Sequence, residues 1–528
     1  MRRRAIRERE ELVGALSQFT STDYLLALPI TLLTLFALGI LLIDLMIPPE
    51  TKWMNAVTAL IGVLFATAGV VKIQFFMQSA PSASMGSPAM MRTMLVDRFA
   101  LYFFYLFLAA TAISILMSVR YMKTEHENHG EYYALMLLSV VGMMCMAAGF
   151  DIVLIFIGLE LMAISTYVLV GFLRRDRRSN EAALKYLLLG AFSSGIFAYG
   201  LSLLYGLTGS TNLGVIGGQL ARLLAREPHN PVAIIALLTT MTGLLFKIAA
   251  IPFHQWAPDA YEGAPTCITG FMSVAVKAAG WAMLLRILIG SPFLPGGLLA
   301  MRATWVPVLV FVSVATMTGA NFAALTQTNT KRLLAYSSIA HVGYMLLGLI
   351  AGTATELSPD GIKGILIYLL VYTFMNLGAF GVITSLRHRN VIGDELDDLN
   401  GIYSRAPVEA VLMLIFLLSL AGIPPLAGFY GKYFIFLSLI ETRHYALASL
   451  GVLYSVFGLY YYLKMANAMF MGQPEERGLL PVSWTMRLAL GVTAFATLVI
   501  GIMPDRFIQV VNWSLGIAQN PAVAKLVH

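Results

Sequence analysis

Apolar stretches long enough to cross a membrane recur throughout the chain, and this repetition limits the fold more than any other feature. A helix needs roughly 20 consecutive apolar residues to span the hydrocarbon core of a bilayer. About 14 such runs lie between residues 23 and 504. Only 12% of the residues are charged, against about 25% in soluble domains. The sequence therefore predicts an all-α polytopic membrane protein with about 14 transmembrane helices.

The order of these runs predicts five regions. They are a basic tail at 1–22, helices 1 to 3 at 23–130, helices 4 to 8 at 131–289, helices 9 to 13 at 304–471, and a final helix with a C-terminal tail at 483–528. The first run lacks a small-residue cleavage site, so we expect it to remain as a helix and not to be removed as a signal peptide.

Two of the runs are broken by proline near a lysine. Pro252 ends the seventh run, which carries Lys247, and Pro424 and Pro425 interrupt the twelfth run before Lys432. Proline removes a backbone hydrogen bond that lipid cannot replace, so such breaks persist only inside protein or beside trapped water. The breaks lie five helices apart, which predicts two five-helix repeats. Because five is odd, the repeats are expected to be inverted.

The basic residues are typical of a membrane protein. The net charge is +7, but the lysines and arginines are spread over short loops and do not form the single basic face that nucleic-acid binding needs. Arginines at 174, 175, 177 and 178 form the clearest loop cluster, which predicts that their side is cytoplasmic. The arginines of the basic tail at 2–9 fall on the opposite side and conflict with this orientation.

Redox and nucleotide motifs are missing. Cys145 and Cys267 are the only cysteines, too few for the four thiolates of an iron–sulfur cluster. No Gly-x-Gly-x-x-Gly follows a soluble strand, and Gly431 and Lys432 lack the spacing of a phosphate loop. We therefore expect no cofactor and no metal in this chain, and we assign any redox chemistry to other chains.

Ionisable side chains inside the apolar runs are the candidate functional residues. A lysine at the bilayer centre costs about 2.5–3.5 kcal/mol, and such residues mark ion pathways by default. Arg286 and Lys464 lie nearer helix ends, where snorkelling or an orienting role is the simpler explanation. The candidates for a proton relay are Glu160, Lys185, Lys247, Lys277, His341 and Lys432.

Structural alternatives stay open for three of these residues. Lys185 follows Glu181 by four residues and can form an ordinary helix-surface pair. Lys277 has small neighbours that allow snorkelling, and His341 can be a hydrogen-bonded core histidine. Glu160 is expected to pair with a lysine on a neighbouring helix. Burial disfavours a charged lysine and a nearby carboxylate favours it, so a change in that distance would release and recapture a proton.

Five segments together resemble the antiporter-like subunits of respiratory complex I, most closely the subunit N branch. They are FIGLEL at 156–161, AALKY at 182–186, FK at 246–247 followed by PFHQWAPDAYEGAP at 252–265, KRLLAYSS at 331–338, and GIPP at 422–425 with Lys432. The resemblance covers nearly the whole chain. The basic tail and the loop at 79–92 match no motif of that family.

The resemblance assigns a role to each matching position. Glu160 and Lys247 match the central pair, Lys277 the connecting lysine, and Lys432 the terminal lysine. It also places Lys185 and His341 in the relay. Lysine at 432 differs from the glutamate of the subunit M branch, and the chain ends too soon after its last helix for the lateral helix of subunit L.

The family implies a proton-translocating subunit of NADH-quinone oxidoreductase in the cell inner membrane. NADH, FMN, iron–sulfur clusters and quinone would then be bound by partner subunits, and the partners of this chain would be those subunits, the lipid bilayer, protons and internal water. Two alternatives remain: a subunit of a multi-subunit cation/proton antiporter or membrane-bound hydrogenase, and a non-pumping scaffold subunit.

Overall fold

The computed structural model describes residues 20–79, 87–292, 296–353, 359–387, 394–473 and 482–517. The arginines of the basic tail, residues 80–86 of the loop at 79–92 and the end of the C-terminal tail lie outside the described residues.

Helices account for almost all of the described chain, and thirteen of them are long and apolar enough to cross a membrane. In chain order the helices are α1 (Ser21–Asp44), α2 (Met54–Ser79), α3 (Arg98–Thr124), α4 (Gly130–Ala148), α5 (Ile152–Val170), α6 (Arg177–Thr208), α7 (Leu213–Arg226), α8 (Pro231–Ile248), α9 (Trp256–Gly263), α10 (Thr266–Ile289), α11 (Arg302–Leu325), α12 (Thr330–Gly352), α13 (Pro359–Leu386), α14 (Ile402–Arg405), α15 (Pro407–Ala421), α16 (Ala427–Glu441), α17 (Tyr445–Met471), α18 (Trp484–Ile502) and α19 (Pro504–Ser514).

The twelfth run is a broken helix, as predicted. Its halves, α15 and α16, are each too short to cross the hydrocarbon core alone, and together they supply the span that completes the predicted fourteen. Gly422 ends α15 with a φ of +88°, and its N–H donates to the carbonyls of Leu418 and Ser419. Such left-handed residues end helices because they return the last amides to free carbonyls.

The seventh run breaks in a similar way. Helix α8 ends at Ile248, earlier than the predicted 252, and Ala249 adopts the left-handed conformation with φ of 60°. The N–H of Ala250 donates to the carbonyl of Leu245 over 2.9 Å. The chain then turns through Pro252 into the short helix α9. Both predicted helix breaks are therefore present. At each one, a residue in the left-handed conformation ends the first helix ahead of the proline.

A fully buried ion pair joins three parts of the bundle. The guanidinium of Arg286, near the end of α10, donates to both carboxylate oxygens of Asp97 over 2.8 and 2.6 Å and to the carbonyl of Ala147 over 2.8 Å. Asp97 also caps α3 by accepting from the N–H of Ala100. Arg286 therefore has an orienting role and does not snorkel, since its side chain has no exposed surface.

Several elements were not predicted from the sequence. They are a short antiparallel hairpin of β1 (Ser87–Ala89) and β2 (Met94–Val96), the amphipathic helices α7 and α19, and a π-helical turn at Met272–Val276 inside α10. None of them forms a long apolar run, because α7 and α19 are only partly apolar, and a π turn needs no unusual composition.

We predict that the close contact between the two halves of the broken twelfth helix requires a glycine. A Cβ at Gly428 would lie 1.7 Å from the carbonyl oxygen of Ser419, which is backbone and cannot move aside. Gly428→Ala should destabilise the protein by about 1–3 kcal/mol, the usual cost of overpacking. The measurement is the thermal denaturation midpoint of the purified protein. Gly491→Ala on α18 is the control. Nothing lies within 4 Å of the Cβ that this variant would add, so the denaturation midpoint should stay unchanged. Equal midpoints for both variants would contradict the prediction.

Candidate functional site

Lys277 is buried at the end of the π-helical turn of α10. Its amino group donates to the hydroxyl of Ser338 on α12 over 2.5 Å and lies 5.7 Å from the ring centre of Tyr261. The hydroxyl of Tyr372 on α13 donates to the same Ser338 oxygen over 2.8 Å. The side chain is 2% exposed, which rules out snorkelling. The π turn fits this position, because such turns occur often at functional sites.

His341 lies one turn beyond Ser338 and is held between two tyrosines. Its Nδ1 hydrogen bonds to the hydroxyl of Tyr368 on α13, and its Nε2 lies 3.0 Å from the hydroxyl of Tyr462 on α17. Tyr462 also hydrogen bonds to Ser337. The ring is therefore a hydrogen-bonded core histidine whose two nitrogens face different hydroxyls, so a change of tautomer would exchange donor and acceptor between them.

Lys432 follows the second helix break and hydrogen bonds to a backbone carbonyl that the break leaves without a helical partner. Its amino group donates to the carbonyl of Ala421 over 2.7 Å and to the hydroxyl of Ser455 on α17 over 2.6 Å. The ring centre of Tyr344 on α12 lies 5.2 Å away. A cavity of about 370 Å³ adjoins Lys432 and Ser455 between the second half-helix and α17. The cavity opens on the outer face of the bundle, where Ile440, Val452 and Val456 are exposed, so Lys432 lies just beneath that face.

Lys247 lies in the last turn of α8 and is 3% exposed. Its amino group is 3.5 Å from the hydroxyl of Tyr186 on α6. Tyr186 stacks on Trp256, the first residue of α9, with ring centres 4.5 Å apart. The indole N–H of Trp256 in turn donates to the carbonyl of Phe246 over 2.9 Å. These contacts hold the first helix break against α6.

Glu160 on α5 interacts electrostatically with Lys247 and Tyr167. Its Oε1 is buried and accepts no hydrogen bond. The expected direct pairing with a lysine is not present: within the described chain, no lysine nitrogen lies within 4.0 Å of the carboxylate. A cavity of about 10 Å³ between α5, α6 and α8 adjoins Lys247 and Tyr167. That volume is close to the minimum that one water molecule needs.

Lys185 is placed differently from the other candidates, because its side chain is 48% exposed. It contacts Glu181 over 3.0 Å, which is the helix-surface pair considered from the sequence, and Asp259 on α9 over 2.9 Å. Arg332, at the start of α12, donates to Asp259 over 2.6 Å and to Glu262 over 2.8 Å. Five charged groups therefore link α6, α9 and α12 at one end of the bundle.

Asp259 is at the centre of this charged network. Burial alone would raise its pKa, but the hydrogen bonds and positive charges of Lys185 and Arg332 outweigh burial and lower the pKa below the usual range. Asp259 therefore stays ionised at neutral pH. The two cations remain anchored to it there.

Three of the four buried lysines in the described residues share one property, whereas the fourth, Lys331, is paired with Asp394 over 3.4 Å. In the part of the chain that the structure describes, no carboxylate lies within 4.0 Å of the amino groups of Lys247, Lys277 and Lys432. Their close partners are hydroxyls, a carbonyl and aromatic rings. A buried charge without a counter-ion is costly, so these lysines are suited to losing and regaining a proton.

The hydroxyls that surround the candidate residues were not predicted from the sequence. On α12, Ser337, Ser338, His341 and Tyr344 share one helix face, and on α13 Tyr368 and Tyr372 are spaced by four residues. This i, i+4 spacing of polar side chains in an apolar helix was a usable signal. The partners of each hydroxyl could not be inferred, since they lie on other helices. The missed residues are Tyr186, Ser337, Ser338, Tyr344, Tyr368, Tyr372, Ser455 and Tyr462.

Comparison with known proteins matches this arrangement to one family. The transmembrane family described as NADH:quinone oxidoreductase/Mrp antiporter matches residues 149–458, which include all six candidate residues. A NADH-quinone oxidoreductase subunit N from Koribacter versatilis is 61% identical over 96% of this chain and 98% of the relative. This chain belongs to the subunit N family of NADH-quinone oxidoreductase. A second subunit N, from Solibacter usitatus, is 49% identical over 94% of this chain and 98% of its own.

Solved structures agree with this assignment. A chain of respiratory complex I from Thermus thermophilus is 30% identical, with a TM-score of 0.74, over 91% of this chain and 98% of its own length. A chain of the Mrp complex from Dietzia has a TM-score of 0.78 at 20% identity over 95% of this chain and 98% of its own, which shows the same fold. As a subunit N, the chain is a multi-pass inner-membrane subunit of a multi-subunit enzyme complex.

The described residues contain no cluster of possible metal ligands. Within the described ranges, no three His, Cys, Asp or Glu side chains are grouped so that they could hold a metal ion. Cys267 is buried, and its Sγ lies 3.1 Å from the hydroxyl oxygen of Tyr132. Cys145 is half-buried.

We predict that Ser338 and Tyr372 act as one unit in holding Lys277. Each of Ser338→Ala and Tyr372→Phe should lower the thermal denaturation midpoint of the complex, since a buried hydrogen bond contributes about 0.5–1.5 kcal/mol. The double variant should lose less than the sum, because both changes remove the same contact. The control pairs Tyr372→Phe with Ser438→Ala, whose hydroxyl bonds only within α16, and should be additive. Additivity in the Ser338 pair would disprove the shared network.

Proposed function

We propose that this chain translocates protons across the membrane as a subunit of NADH-quinone oxidoreductase. Protons pass through two half-channels that meet at buried Glu, Lys and His residues near the middle of the bilayer. NADH, FMN, the iron–sulfur clusters and quinone belong to partner subunits, and quinone reduction there drives the transfer. The observation that carries this proposal is the row of hydroxyls that extends from Lys277 toward Lys432.

The row supports proton transfer because its members can each donate and accept. Ser338 contacts Lys277, His341 follows one turn later on the same helix face, and Tyr344 lies against Lys432. Serine and tyrosine hydroxyls carry one donor and accepting lone pairs, and a neutral histidine has one of each. A proton can therefore advance by rotation of hydroxyls and by tautomer change, with water bridging the gaps that no direct hydrogen bond closes between Ser338, His341 and Lys432.

The first half of the relay needs water in addition to side chains. Glu160 and Lys247 interact without direct contact, and the small cavity beside Lys247 is close to the size of one water. We assign Glu160 and Lys247 to the control of proton release: a carboxylate that moves toward the lysine favours its charged form, and one that moves away favours the neutral form.

Lys185 is assigned to the access end of the relay. Its network with Asp259 and Arg332 lies on the same side of the bundle as Arg174 and Arg175, which the loop charges predict to be cytoplasmic. The carboxylates of this network attract protons to the aqueous end, and water carries them inward, since Asp259 itself stays ionised. The inverted five-helix repeats, 131–289 and 304–471, would place the two broken helices in the two halves of this path.

Lys247→Ala tests the central step. We expect NADH-driven acidification by inverted membrane vesicles to fall by at least about tenfold, because a positioned proton-transfer group contributes about 10²–10⁴-fold. Complex content is measured in the same membranes. Lys72→Ala, on the exposed face of α2, is the matched control and should pump normally. An assembled Lys247→Ala complex that pumps at the wild-type rate would identify the chain as a scaffold subunit.

His341→Gln tests the second half of the relay. Glutamine keeps hydrogen bonds to the two tyrosines but cannot exchange tautomers, so proton pumping should fall while assembly is retained. The control is His444→Gln, at the start of α17, whose Nδ1 contacts Thr442. Proton pumping per NADH oxidised is the readout. If both variants pump the same number of protons per NADH oxidised, His341 is not part of the proton path.

A further inference from the structure

A groove of about 560 Å³ lies on the outside of the bundle, away from the lysines of the relay. Helices α2, α3 and α13 form its walls, and the terminal helix α19 lies across one end. This volume is within the range of about 300–1,000 Å³ that is common for small-molecule sites. The groove therefore has room for a ligand that no part of the proton path uses.

The end of the groove under α19 is polar and lies at the membrane boundary. Helix α19 begins two residues after the transmembrane helix α18 ends. Its exposed Arg506 and Gln509 line the groove together with Gln78, from the last turn of α2. Trp513 completes this end, and the guanidinium of Arg98 lies 5.7 Å from its ring centre. Arginine and tryptophan are typical of the headgroup level of a bilayer.

The groove becomes apolar as it extends into the membrane. Leu106 and Ala109 of α3 and Leu370 and Phe374 of α13 line the inner part. Ala109 is eleven residues beyond the start of α3, a depth of about 17 Å at about 1.5 Å per residue. The hydrocarbon core is about 30 Å thick. The groove therefore reaches about the depth of one leaflet, with its polar end at the surface.

We propose that this groove binds a glycerophospholipid, with the phosphate at Arg506 and Gln509 and an acyl chain between α3 and α13. An arginine and two glutamine amides donate hydrogen bonds, which is the chemistry that a phosphate accepts. Asp505 adjoins Arg506 in sequence, but successive side chains on a helix point about 100° apart. The bound lipid fixes α19 against the bundle and completes a surface that the protein alone leaves grooved.

Photoaffinity labelling of the intact complex tests this site. The probe is phosphatidylglycerol with a diazirine at the end of one acyl chain, added to purified complex in micelles and followed by peptide mass spectrometry. Cross-links are expected at Leu106, Ala109 and Leu370. Unlabelled phosphatidylglycerol should remove them. Diacylglycerol, which has the same chains but no phosphate, should not.

Two variants test the phosphate end and the acyl-chain end of the site separately. Arg506→Gln should weaken labelling about tenfold, and Ala109→Trp should abolish it by filling the inner groove. Arg487→Gln, on the opposite end of α18, is the matched control and should label as the wild type does. Labelling spread evenly over the lipid-facing helices, equal competition by diacylglycerol, or no labelling because another subunit fills the groove would each overturn the proposal. Arg506 is exposed, so its variant is readable even if Ala109→Trp fails to assemble.

Discussion

The amino group of Lys432 is bound by a backbone carbonyl that an unbroken helix would have used itself. In a regular helix the carbonyl of Ala421 would accept from residue 425, but that residue is Pro425 and has no N–H. The same relation holds in the seventh run, where the carbonyl of Ile248 would need the missing N–H of Pro252. In lipid, every such group must find a partner within the protein. The broken helices thus provide acceptors at a depth where no water-exposed loop can reach.

The surrounding helices are arranged to keep these acceptors and the lysines away from lipid. Helix α10 is buried along its whole length, and α12 is almost as enclosed. By contrast α1, α2 and α6 expose much of their apolar surface. The fully buried pair of Arg286 and Asp97 fixes the end of α10 to α3 and α4, so the central helix is held at the end opposite to the charged network of Asp259. Lys277 lies on α10 between its first residue and Arg286.

Hydrophobic run length was sufficient to predict the transmembrane helices, and proline was sufficient to predict both breaks. The burial of Lys247, Lys277, His341 and Lys432 also followed from their place in apolar runs, whereas Glu160 is only half-buried. Their partners did not follow, because Lys277 meets Ser338 and Tyr372 across three helices far apart in sequence. Helical periodicity predicts on which face of its own helix a residue lies. It does not predict which neighbouring helix packs against that face. Lys185 shows both sides of this: its pair with Glu181 was foreseen from the i, i+4 spacing, but its contact with Asp259 on another helix was not.

Gly422 is a glycine for two separate reasons. The first is its backbone conformation, and the second is the space that the side chain of Lys432 occupies. Its positive φ favours glycine, and a Cβ there would also lie 2.9 Å from Cδ of Lys432. The stem of the lysine therefore passes through space that only a missing side chain leaves open. Substitution at one of the two positions changes what the other can tolerate. Among related proteins, the residue at the helix break and the residue ten positions later should therefore vary together, with a shorter side chain at the second accompanying any departure from glycine at the first.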